Sequence, residues 1–396
     1  MKVLQINAVC GIGSTGRIAI DLAESLKKNN DLCIIAYGRD KKSTSEYALR
    51  VNSEFCSKYH SFLAHISDKH GFYSKYKTKK FLKWIEEYSP DLIHLHNLHG
   101  DYINIKLLFN YIKKSKIPIV WTFHDCWNMT GHCPYFTFVN CDKWKIKCHN
   151  CPQKNKYPST WLFDNSKWNF DKKKELFCKI DKMAIVTPSK WLKNIVELSF
   201  MQNYPVSVIN NGIDLDIFKP TKSNFRKQYS IGNKKIILGV ANCWTKAKGY
   251  DDFIKLAKII NKTEYIIVMV GLNKSQLELL PRNIVGISRT NKLKNLVEIY
   301  SVAEVFLNLT YEDNFPTTNL EALACGTPVV TYDVGGSPES INEKCGCICE
   351  VGNINEIVHL IYNLNLNELD CIKQAQKYNK KNMYNAYLDL YNQILN

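Results

Sequence analysis

The stretch Leu309–Val330, LTYEDNFPTTNLEALACGTPVV, carries the pattern on which the prediction of the fold is based. The chain enters it from an apolar run, Val305–Leu309, which is typical of a buried strand. Polar residues then end the strand, and Thr317 or Thr318 can cap a new helix that ends at Gly326. A strand, a polar loop and a helix N-terminus together form an anion site, because the N–H groups of the first turn point toward whatever lies there.

Two acids bracket the polar loop. Asp313 lies before the helix and Glu321 lies one turn into it. One acid near a helix start has an ordinary explanation, because a carboxylate there interacts favourably with the helix dipole. Two acids around an Asn-Phe-Pro-Thr-Thr loop indicate instead a ligand that carries both a phosphate and hydroxyl groups.

The segment resembles the donor-site signature of retaining sugar-nucleotide glycosyltransferases of family 4. In that signature two acids stand eight positions apart, as Asp313 and Glu321 do. The usual first acid is a glutamate, so Glu312 is an alternative to Asp313 at that position. The resemblance implies that Asp313 positions the sugar and that Glu321 takes ribose hydroxyls. The donor-binding residues that it implies between them are Phe315, Pro316, Thr317, Thr318 and Asn319.

A lysine-rich loop follows the predicted strand Lys235–Val240. The family has a Lys-Gly pair here whose lysine holds the donor diphosphate, so the resemblance assigns that role to Lys248. A lysine suits the role as a compact point charge. The arginine that the family places a few residues earlier has no counterpart, and Lys246 or the Thr245 backbone can take its place. For Lys246 a solvated position at the helix start is the simpler interpretation.

The composition is that of a globular protein with 396 residues, enough for two domains that each bury a core. No apolar run approaches the ~20 residues of a membrane span, and the start of the chain lacks the apolar core of a signal peptide. A cytoplasmic protein is therefore expected. Fifteen cysteines in such a chain indicate thiols or a metal site rather than disulfides.

The net charge of +16 is concentrated in the N-terminal half. Residues 1–200 hold 32 Lys+Arg against 18 Asp+Glu, whereas residues 201–396 hold 21 against 19. A coding bias toward Lys and Asn explains this as well as an acidic partner does. Nucleic acid, an anionic membrane face and a diphosphate-bearing acceptor would all suit the charge. Basic-aromatic RNA signatures are lacking, so no nucleic acid is expected, and a peripheral position at the inner face of the membrane is kept as an alternative.

A glycine-rich turn, Gly11-Ile-Gly13-Ser-Thr-Gly16-Arg17, follows the first predicted strand. Such a turn lets phosphates or hydroxyls approach the backbone, although glycines also serve tight turns. The acid expected ~20 residues later in a dinucleotide site is not evident, which argues against NAD. The letters GSTGRI resemble the bacterial exopolysaccharide and colanic-acid-type subgroup of family 4, in which this loop packs beside the donor diphosphate and the acceptor. Gly13 and Gly16 are thus implied on the donor side.

Four histidines, at 94, 96, 99 and 124, fall near the C-terminal ends of two predicted strands, where ligands bind in an open α/β sheet. His94 and His96 alternate along one strand, so a hydrogen-bonded core pair is the simpler interpretation for them. His124 resembles the family's N-domain histidine, which can donate to a sugar hydroxyl or help to hold charge in an oxocarbenium-like transition state. The catalytic residues implied are His124, Asp313 and Glu321. The acceptor-side residues implied are His99, Arg17 and Asp125.

Four cysteines lie within nineteen residues, the last two as Cys-x-x-Cys. They are Cys133, Cys141, Cys148 and Cys151. This spacing resembles a structural zinc site that would hold an irregular loop, and four thiolates would leave no open position for catalysis. Four reduced cysteines in a loop are the alternative.

Strands alternate with helices in both halves, which implies an α/β protein of the GT-B type with two Rossmann-like doubly wound domains facing a central cleft. The expected N-terminal acceptor-side domain covers residues 1–203 and includes a cysteine-rich insert over 126–160. The C-terminal nucleotide-sugar domain covers 204–378, and a last helix over 379–396 crosses back to the first domain.

The expected activity is that of a retaining, hexosyltransferase-type glycosyltransferase of surface polysaccharide synthesis. It would move a sugar from a UDP- or GDP-sugar to a saccharide or lipid-linked saccharide acceptor, and the family implies that no cofactor is required for catalysis. Two alternatives remain. A GT-B sugar-nucleotide epimerase would share the fold and donor, and a basic nucleic-acid-binding protein would explain the charge and the cysteines.

Overall fold

The computed structural model describes residues 1–39, 43–290 and 292–396. The chain divides into two compact units, which we call unit 1 and unit 2. Unit 1 comprises Met1–Ile209 together with Tyr384–Asn396, and unit 2 comprises Asn210–Met383. Each unit is built on one parallel sheet.

The sheet of unit 1 has seven strands in the order β3-β2-β1-β4-β5-β6-β7. Its central strands are short apolar runs that are buried along their length, as expected for parallel strands covered on both faces. The strand order reverses between β1 and β4, and ligand sites form at such a reversal, outside the carboxyl ends of the strands. The strands are β1 Lys2–Asn7, β2 Leu32–Tyr37, β3 Ala48–Arg50, β4 Leu92–Leu95, β5 Ile119–Thr122, β6 Met183–Thr187 and β7 Val206–Val208.

Among the described residues, six helices lie between these strands, and the part of a seventh helix that starts at Tyr384 also belongs to unit 1. The residues between β5 and the fifth helix form irregular loops with three short 3-10 turns. The helices are α1 Gly13–Lys28, α2 Glu54–Ser67, α3 Lys75–Tyr88, α4 Ile105–Ser115, α5 Ser166–Phe177, α6 Lys190–Glu197 and α14 Lys380–Leu395.

The sheet of unit 2 has six strands in the order β10-β9-β8-β11-β12-β13, with its reversal between β8 and β11. The strands are β8 Lys235–Val240, β9 Tyr265–Val270, β10 Ile284–Ile287, β11 Val305–Asn308, β12 Val329–Tyr332 and β13 Gly346–Cys349. The helices are α7 Phe225–Gln228, α8 Tyr250–Ile259, α9 Lys274–Glu278, α10 Leu293–Tyr300, α11 Thr317–Ala324, α12 Ile354–Tyr362 and α13 Glu368–Lys377.

The boundary between the units lies a few residues later than the sequence indicated. Strand β7 was expected to open the second domain, but it pairs in parallel with β6, with Ile185 opposite Val206. The turn at Met201–Pro205 therefore lies within unit 1, and the break follows Ile209. The reason is that β7 completes the edge of the first sheet through backbone hydrogen bonds, which a hydrophobicity pattern does not reveal.

The end of α14 packs as part of unit 1. Tyr387 and Tyr391 are buried, and their hydroxyls bond to Thr122 at 2.9 Å and to His94 at 2.6 Å. The terminal helix thus contributes two hydroxyls to the buried polar side chains around His94. In the part of the chain that the structure describes, no helix has the length and apolarity that a bilayer span requires.

Candidate functional site

The loops after β8 and β11 meet at the strand-order reversal of unit 2. The Lys248 ammonium lies 2.9 Å from a carboxylate oxygen of Asp313 and 3.4 Å from the carbonyl oxygen of Glu312. Two residues predicted to bind the donor are therefore in direct contact. It is the side chain of Asp313 that faces the lysine, whereas Glu312 contributes its backbone.

Backbone contacts hold these two loops together. The Tyr311 N–H donates to the Ala247 carbonyl oxygen at 2.8 Å. Gly249 has a φ of +76°, and a Cβ there would lie 2.3 Å from the carbonyl oxygen of Leu309. Only glycine allows both the left-handed backbone and this close approach. The position of Lys248 is thus fixed by the residue that follows it.

A third loop, after β12, packs against the backbone of Asp313. Gly335 has a φ of +60°, and a Cβ there would lie 1.9 Å from the carbonyl oxygen of Asp313. The Gly336 N–H also approaches that oxygen, at 3.4 Å. Loops from three adjacent strands therefore determine where Asp313 stands.

Helix α11 begins next to Asp313. Its cap residue is Pro316, and among the described residues no side chain caps its first turn. Thr317 and Thr318 are half-buried in that turn. The N–H groups of such a turn and the helix dipole attract anions, so the lysine and the helix start together form an anion site at the edge of the sheet.

The other predicted donor-binding residues lie deeper. Glu321 is buried and accepts a hydrogen bond from the Tyr300 hydroxyl at 3.0 Å. Asn319 is fully buried, donates to the Ser340 hydroxyl at 2.9 Å and accepts from the Asn308 amide at 2.9 Å. Phe315 and Pro316 are also buried. These side chains fix the helix to its sheet, whereas the anion site is formed by the more exposed residues Lys248, Thr317 and Thr318, beside Asp313.

In unit 1 the glycine-rich turn lies between β1 and α1, as predicted. Gly13 is exposed at the start of α1, and a Cβ there would have open space around it. Gly16 is buried, and a Cβ there would lie 3.0 Å from the Gly11 nitrogen. Arg17 is exposed on the same helix. The close packing therefore requires a glycine at 16, and Gly13 and Arg17 face solvent.

His124 belongs to a hydrogen-bonded series that runs through the sheet. The Gln5 amide nitrogen donates to the Ala19 carbonyl oxygen at 2.9 Å, so its oxygen accepts from His96 Nε2 at 2.9 Å. Burial lowers the pKa of His96 well below its usual value, so the ring is neutral and its Nδ1 carries a lone pair. His124 Nε2 lies 3.1 Å from that Nδ1 and must donate to it. In the neutral ring, His124 Nδ1 is then the acceptor.

The burial of His124 favours the neutral form of its ring. Burial lowers the pKa of His124 to about 4, because the neighbouring Asp125 only partly opposes the cost of charging a buried ring. A neutral imidazole whose N–H is used by His96 carries no positive charge itself. His94, which bonds to Tyr391 and to Thr122 through its two nitrogens, is the buried core histidine that the sequence suggested.

Two of the residues predicted on the acceptor side, His99 and Asp125, belong to a second hydrogen-bond network. His99 Nε2 bonds to Asp125 at 2.8 Å, and His99 Nδ1 bonds to the Tyr157 hydroxyl at 3.0 Å. Arg39 donates to the same hydroxyl at 3.1 Å. Burial would raise the pKa of Asp125, but the contact with His99 and the Trp127 N–H lower it, so this carboxylate is ionised. Arg39 and Tyr157, 118 positions apart, were missed because only the fold brings them together.

The structural zinc predicted in the insert is not supported. Within residues 1–39, 43–290 and 292–396, no group of three or more His, Cys, Asp or Glu side chains is arranged to hold a metal ion. The thiols of Cys133 and Cys151 bond to each other, and Cys148 accepts a hydrogen bond from the Gly131 N–H at 3.2 Å. All four, Cys133, Cys141, Cys148 and Cys151, are free and line one cavity of about 20 Å³.

Most of the chain matches two family models of sugar-transferring enzymes. Residues 15–217 match the model described as Glycosyltransferase Family 4, and residues 221–383 match the one described as Glycosyl transferases group 1. The protein is therefore a glycosyltransferase, and it belongs to glycosyltransferase family 4. The two parallel sheets and the similarity to the solved structure of Anabaena HepE confirm the predicted GT-B fold.

Among its relatives is the putative colanic acid biosynthesis glycosyl transferase WcaC of Escherichia coli, 22% identical over 321 residues that make up 77% of each chain. Another is the N,N'-diacetylbacillosaminyl-diphospho-undecaprenol alpha-1,3-N-acetylgalactosaminyltransferase of Campylobacter jejuni, 25% identical over 50% of this chain and 57% of that protein. Among solved structures, Anabaena HepE in complex with UDP and glucose is similar with a TM-score of 0.68. It is 13% identical, and the match covers 99% of this chain and 100% of that one.

Proposed function

We propose that this protein is a retaining glycosyltransferase that takes a sugar from a UDP- or GDP-sugar bound on unit 2. The acceptor is a saccharide or lipid-linked saccharide bound by unit 1, in surface polysaccharide synthesis. The observation that carries the proposal is the contact of Lys248 with Asp313 at 2.9 Å, beside the start of α11 and at the strand-order reversal. A lysine ammonium beside a helix N-terminus, at the point where the strand order reverses, suits the phosphates of a nucleotide diphosphate.

The chemistry follows from the charge that develops as the sugar leaves. A departing nucleoside diphosphate gains negative charge, and groups that stabilise it more strongly in the transition state accelerate the reaction. The Lys248 ammonium and the N–H groups at Thr317 and Thr318 supply positive potential there. When the diphosphate takes the lysine, the Asp313 carboxylate becomes available to a sugar hydroxyl. We assign the leaving-group role to these protein groups and no role to a metal ion.

The names of the relatives support the acceptor class. WcaC is a colanic acid enzyme, and the Campylobacter enzyme acts on a sugar linked to a lipid diphosphate. The basic N-terminal half, with 32 Lys+Arg against 18 Asp+Glu in residues 1–200, would suit an anionic acceptor of this kind. His99, Asp125 and Arg17 stay our proposed acceptor-side residues, and His124 stays our proposed contact with the transferred sugar.

A thermal-shift panel of UDP, GDP and their sugars tests the donor site, because a ligand that binds only the folded state raises its stability. We expect one nucleotide series to stabilise the protein and Lys248→Ala to lose most of that shift. Lys258→Ala is the matched control, since Lys258 is exposed near the end of α8. It should keep the shift. An equal shift in wild type and Lys248→Ala would contradict the proposal.

Two product assays test the reaction. With donor and acceptor present, NMR should show that the anomeric configuration of the donor sugar is retained in the product, and inversion would overturn the proposed mechanism. With UDP-sugar alone, the sugar should stay unchanged or be hydrolysed slowly. Interconversion into a different sugar would favour a sugar-nucleotide epimerase instead.

A further inference from the structure

One side of helix α2 presents aromatic side chains to solvent. Phe55, Tyr59 and Phe62 are 79%, 58% and 50% exposed, and their spacing of four and then three residues places them on one side of the helix. The helix already packs on unit 1 through His60 and Ala64, which are buried. A second apolar stripe that faces outward has no part in that packing, and exposed apolar patches of this kind mark interaction surfaces.

The loop before α5 extends this stripe. The backbone N–H of Trp161 donates to the His65 carbonyl oxygen at 2.6 Å, and the backbone N–H of Phe163 donates to the Ile66 carbonyl oxygen at 3.3 Å. These bonds fasten the loop to the last turn of α2. The rings of Phe62 and Trp161 lie 6.0 Å apart in an edge-to-face arrangement. We call the combined surface the aromatic face, and its side chains, each at least half exposed, are Phe55, Tyr59, Phe62, Trp161, Leu162 and Phe163.

A cationic pocket of about 340 Å³ borders the aromatic face along the same helix. Of the lining side chains that the structure describes, three are basic and one, Glu54, is acidic. Glu54 pairs with Lys58 at 2.8 Å, so the two arginines give the pocket its net positive charge. The lining side chains with charges or hydroxyls are Arg39, Arg50, Glu54, Ser57, Lys58 and Ser61.

We propose that the aromatic face and the cationic pocket bind the surface of an anionic lipid bilayer. Aromatic rings with lysines beside them enter the boundary between headgroups and acyl chains, and guanidinium groups bind phosphate through paired hydrogen bonds. The surrounding sequence agrees, because residues 50–80 contain seven Lys or Arg against two Asp or Glu. A second copy of the chain would bring the same cations together and so fits this face less well.

This surface uses no residue of the donor site, so the inference stands or fails separately from the proposed donor. If the proposed lipid-linked acceptor is correct, the same surface would hold unit 1 at the membrane where that acceptor is found. The aromatic face would lie in the interface and the pocket would take a lipid phosphate beside it.

Sedimentation with vesicles tests the inference on the full chain. We expect wild type to bind vesicles of phosphatidylcholine and phosphatidylglycerol, in a ratio of roughly seven to three, at least about tenfold more tightly than phosphatidylcholine alone. The triple variant Phe55→Ser, Tyr59→Ser, Phe62→Ser should lose at least about tenfold in binding. Leu279→Ser is the matched control, because Leu279 is 79% exposed on unit 2 and should not matter. Arg39→Gln with Arg50→Gln should reduce the preference for anionic vesicles.

Three results would overturn the inference. One is wild-type protein that sediments with neither vesicle, and another is a triple variant that binds as tightly as wild type. The third is a wild-type dimer in light scattering that the triple variant converts to a monomer, which would assign the face to a second copy. Circular dichroism checks that the triple variant is folded, and the single variant Trp161→Ser, in the loop, replaces it if it is not.

Discussion

At the scale of single residues, Glu321 connects the packing of unit 2 with its proposed chemistry. Its carboxylate is buried and accepts from the Tyr300 hydroxyl at 3.0 Å, so it fixes α11 against the end of α10. The position of Glu321 was predicted from its spacing to Asp313. Its partner was not, because Tyr300 lies 21 positions away and an isolated tyrosine at a helix end leaves no pattern.

Glu321→Gln separates these two roles. A glutamine oxygen can still accept from Tyr300, so we expect the free energy of unfolding to change by no more than about 1 kcal/mol. The charge that would bind ribose hydroxyls is lost, and hydrogen bonds to charged groups are the stronger ones, so donor affinity should fall about tenfold. Urea unfolding and calorimetric titration with the donor measure the two quantities. Unchanged affinity in a stable variant would remove Glu321 from ligand binding.

At the scale of elements, three loops from adjacent strands converge on Asp313, and two glycines set how closely they approach. Gly249 and Gly335 both have positive φ, and a Cβ on either would collide with backbone of the loop after β11. The three loops hold the anion site in place through contacts between their backbones. A substitution that changes only a side chain would leave these backbone contacts in place.

Gly335→Ala should therefore damage the donor site. Its Cβ would lie 1.9 Å from the Asp313 carbonyl oxygen, so the loop must move and carry Asp313 away from Lys248. We expect donor affinity to fall at least about tenfold, a change of the size that small misplacements in a site produce. Gly232→Ala is the matched control, because Gly232 has a φ of +64° with open space around its Cβ position. Equal affinity in both variants would contradict this account.

Helix α2 shows where prediction from the sequence failed at this scale. No helix was predicted from the sequence over Glu54–Ser67, which the structure shows to be helical. Its apolar rings face outward and its buried side includes His60, so the usual rule of apolar inside and polar outside does not find it. By contrast, β8 was predicted with the bounds that the structure shows, because a buried parallel strand is one continuous apolar run.

At the scale of the whole molecule, the sequence predicted the two parallel sheets, the family and the loops that meet after β8 and β11. It did not predict which sheet β7 joins, because edge pairing depends on backbone hydrogen bonds, nor the polar networks that link distant residues. The predicted structural zinc is not supported by the described residues. Spacing shows which thiols can meet, but it does not show how their sulfurs are arranged.

The buried neutral histidines predict how stability depends on pH. Burial lowers the pKa of His60 and of His124 from 6.5 to about 4, so between these values the unfolded chain binds more protons than the folded one. The free energy of unfolding should then fall as the pH decreases from about 6.5 to about 4, by up to about 3 kcal/mol for each histidine.

Urea unfolding at pH 7.5 and at pH 5 measures this effect. His60→Gln should lessen the difference between the two conditions, whereas His149→Gln, at an exposed position, should leave it unchanged. If His60→Gln and His149→Gln depend on pH as wild type does, the neutral burial of His60 would be refuted.

The central claim, that a nucleotide diphosphate binds where Lys248 meets the start of α11, is tested most directly by hydrogen–deuterium exchange with and without the stabilising nucleotide. We predict slower exchange over residues 245–249 and 309–319 on binding, with the protection reduced in Lys248→Ala. Protection confined to other segments, or protection of these segments that Lys248→Ala leaves intact, would contradict the claim.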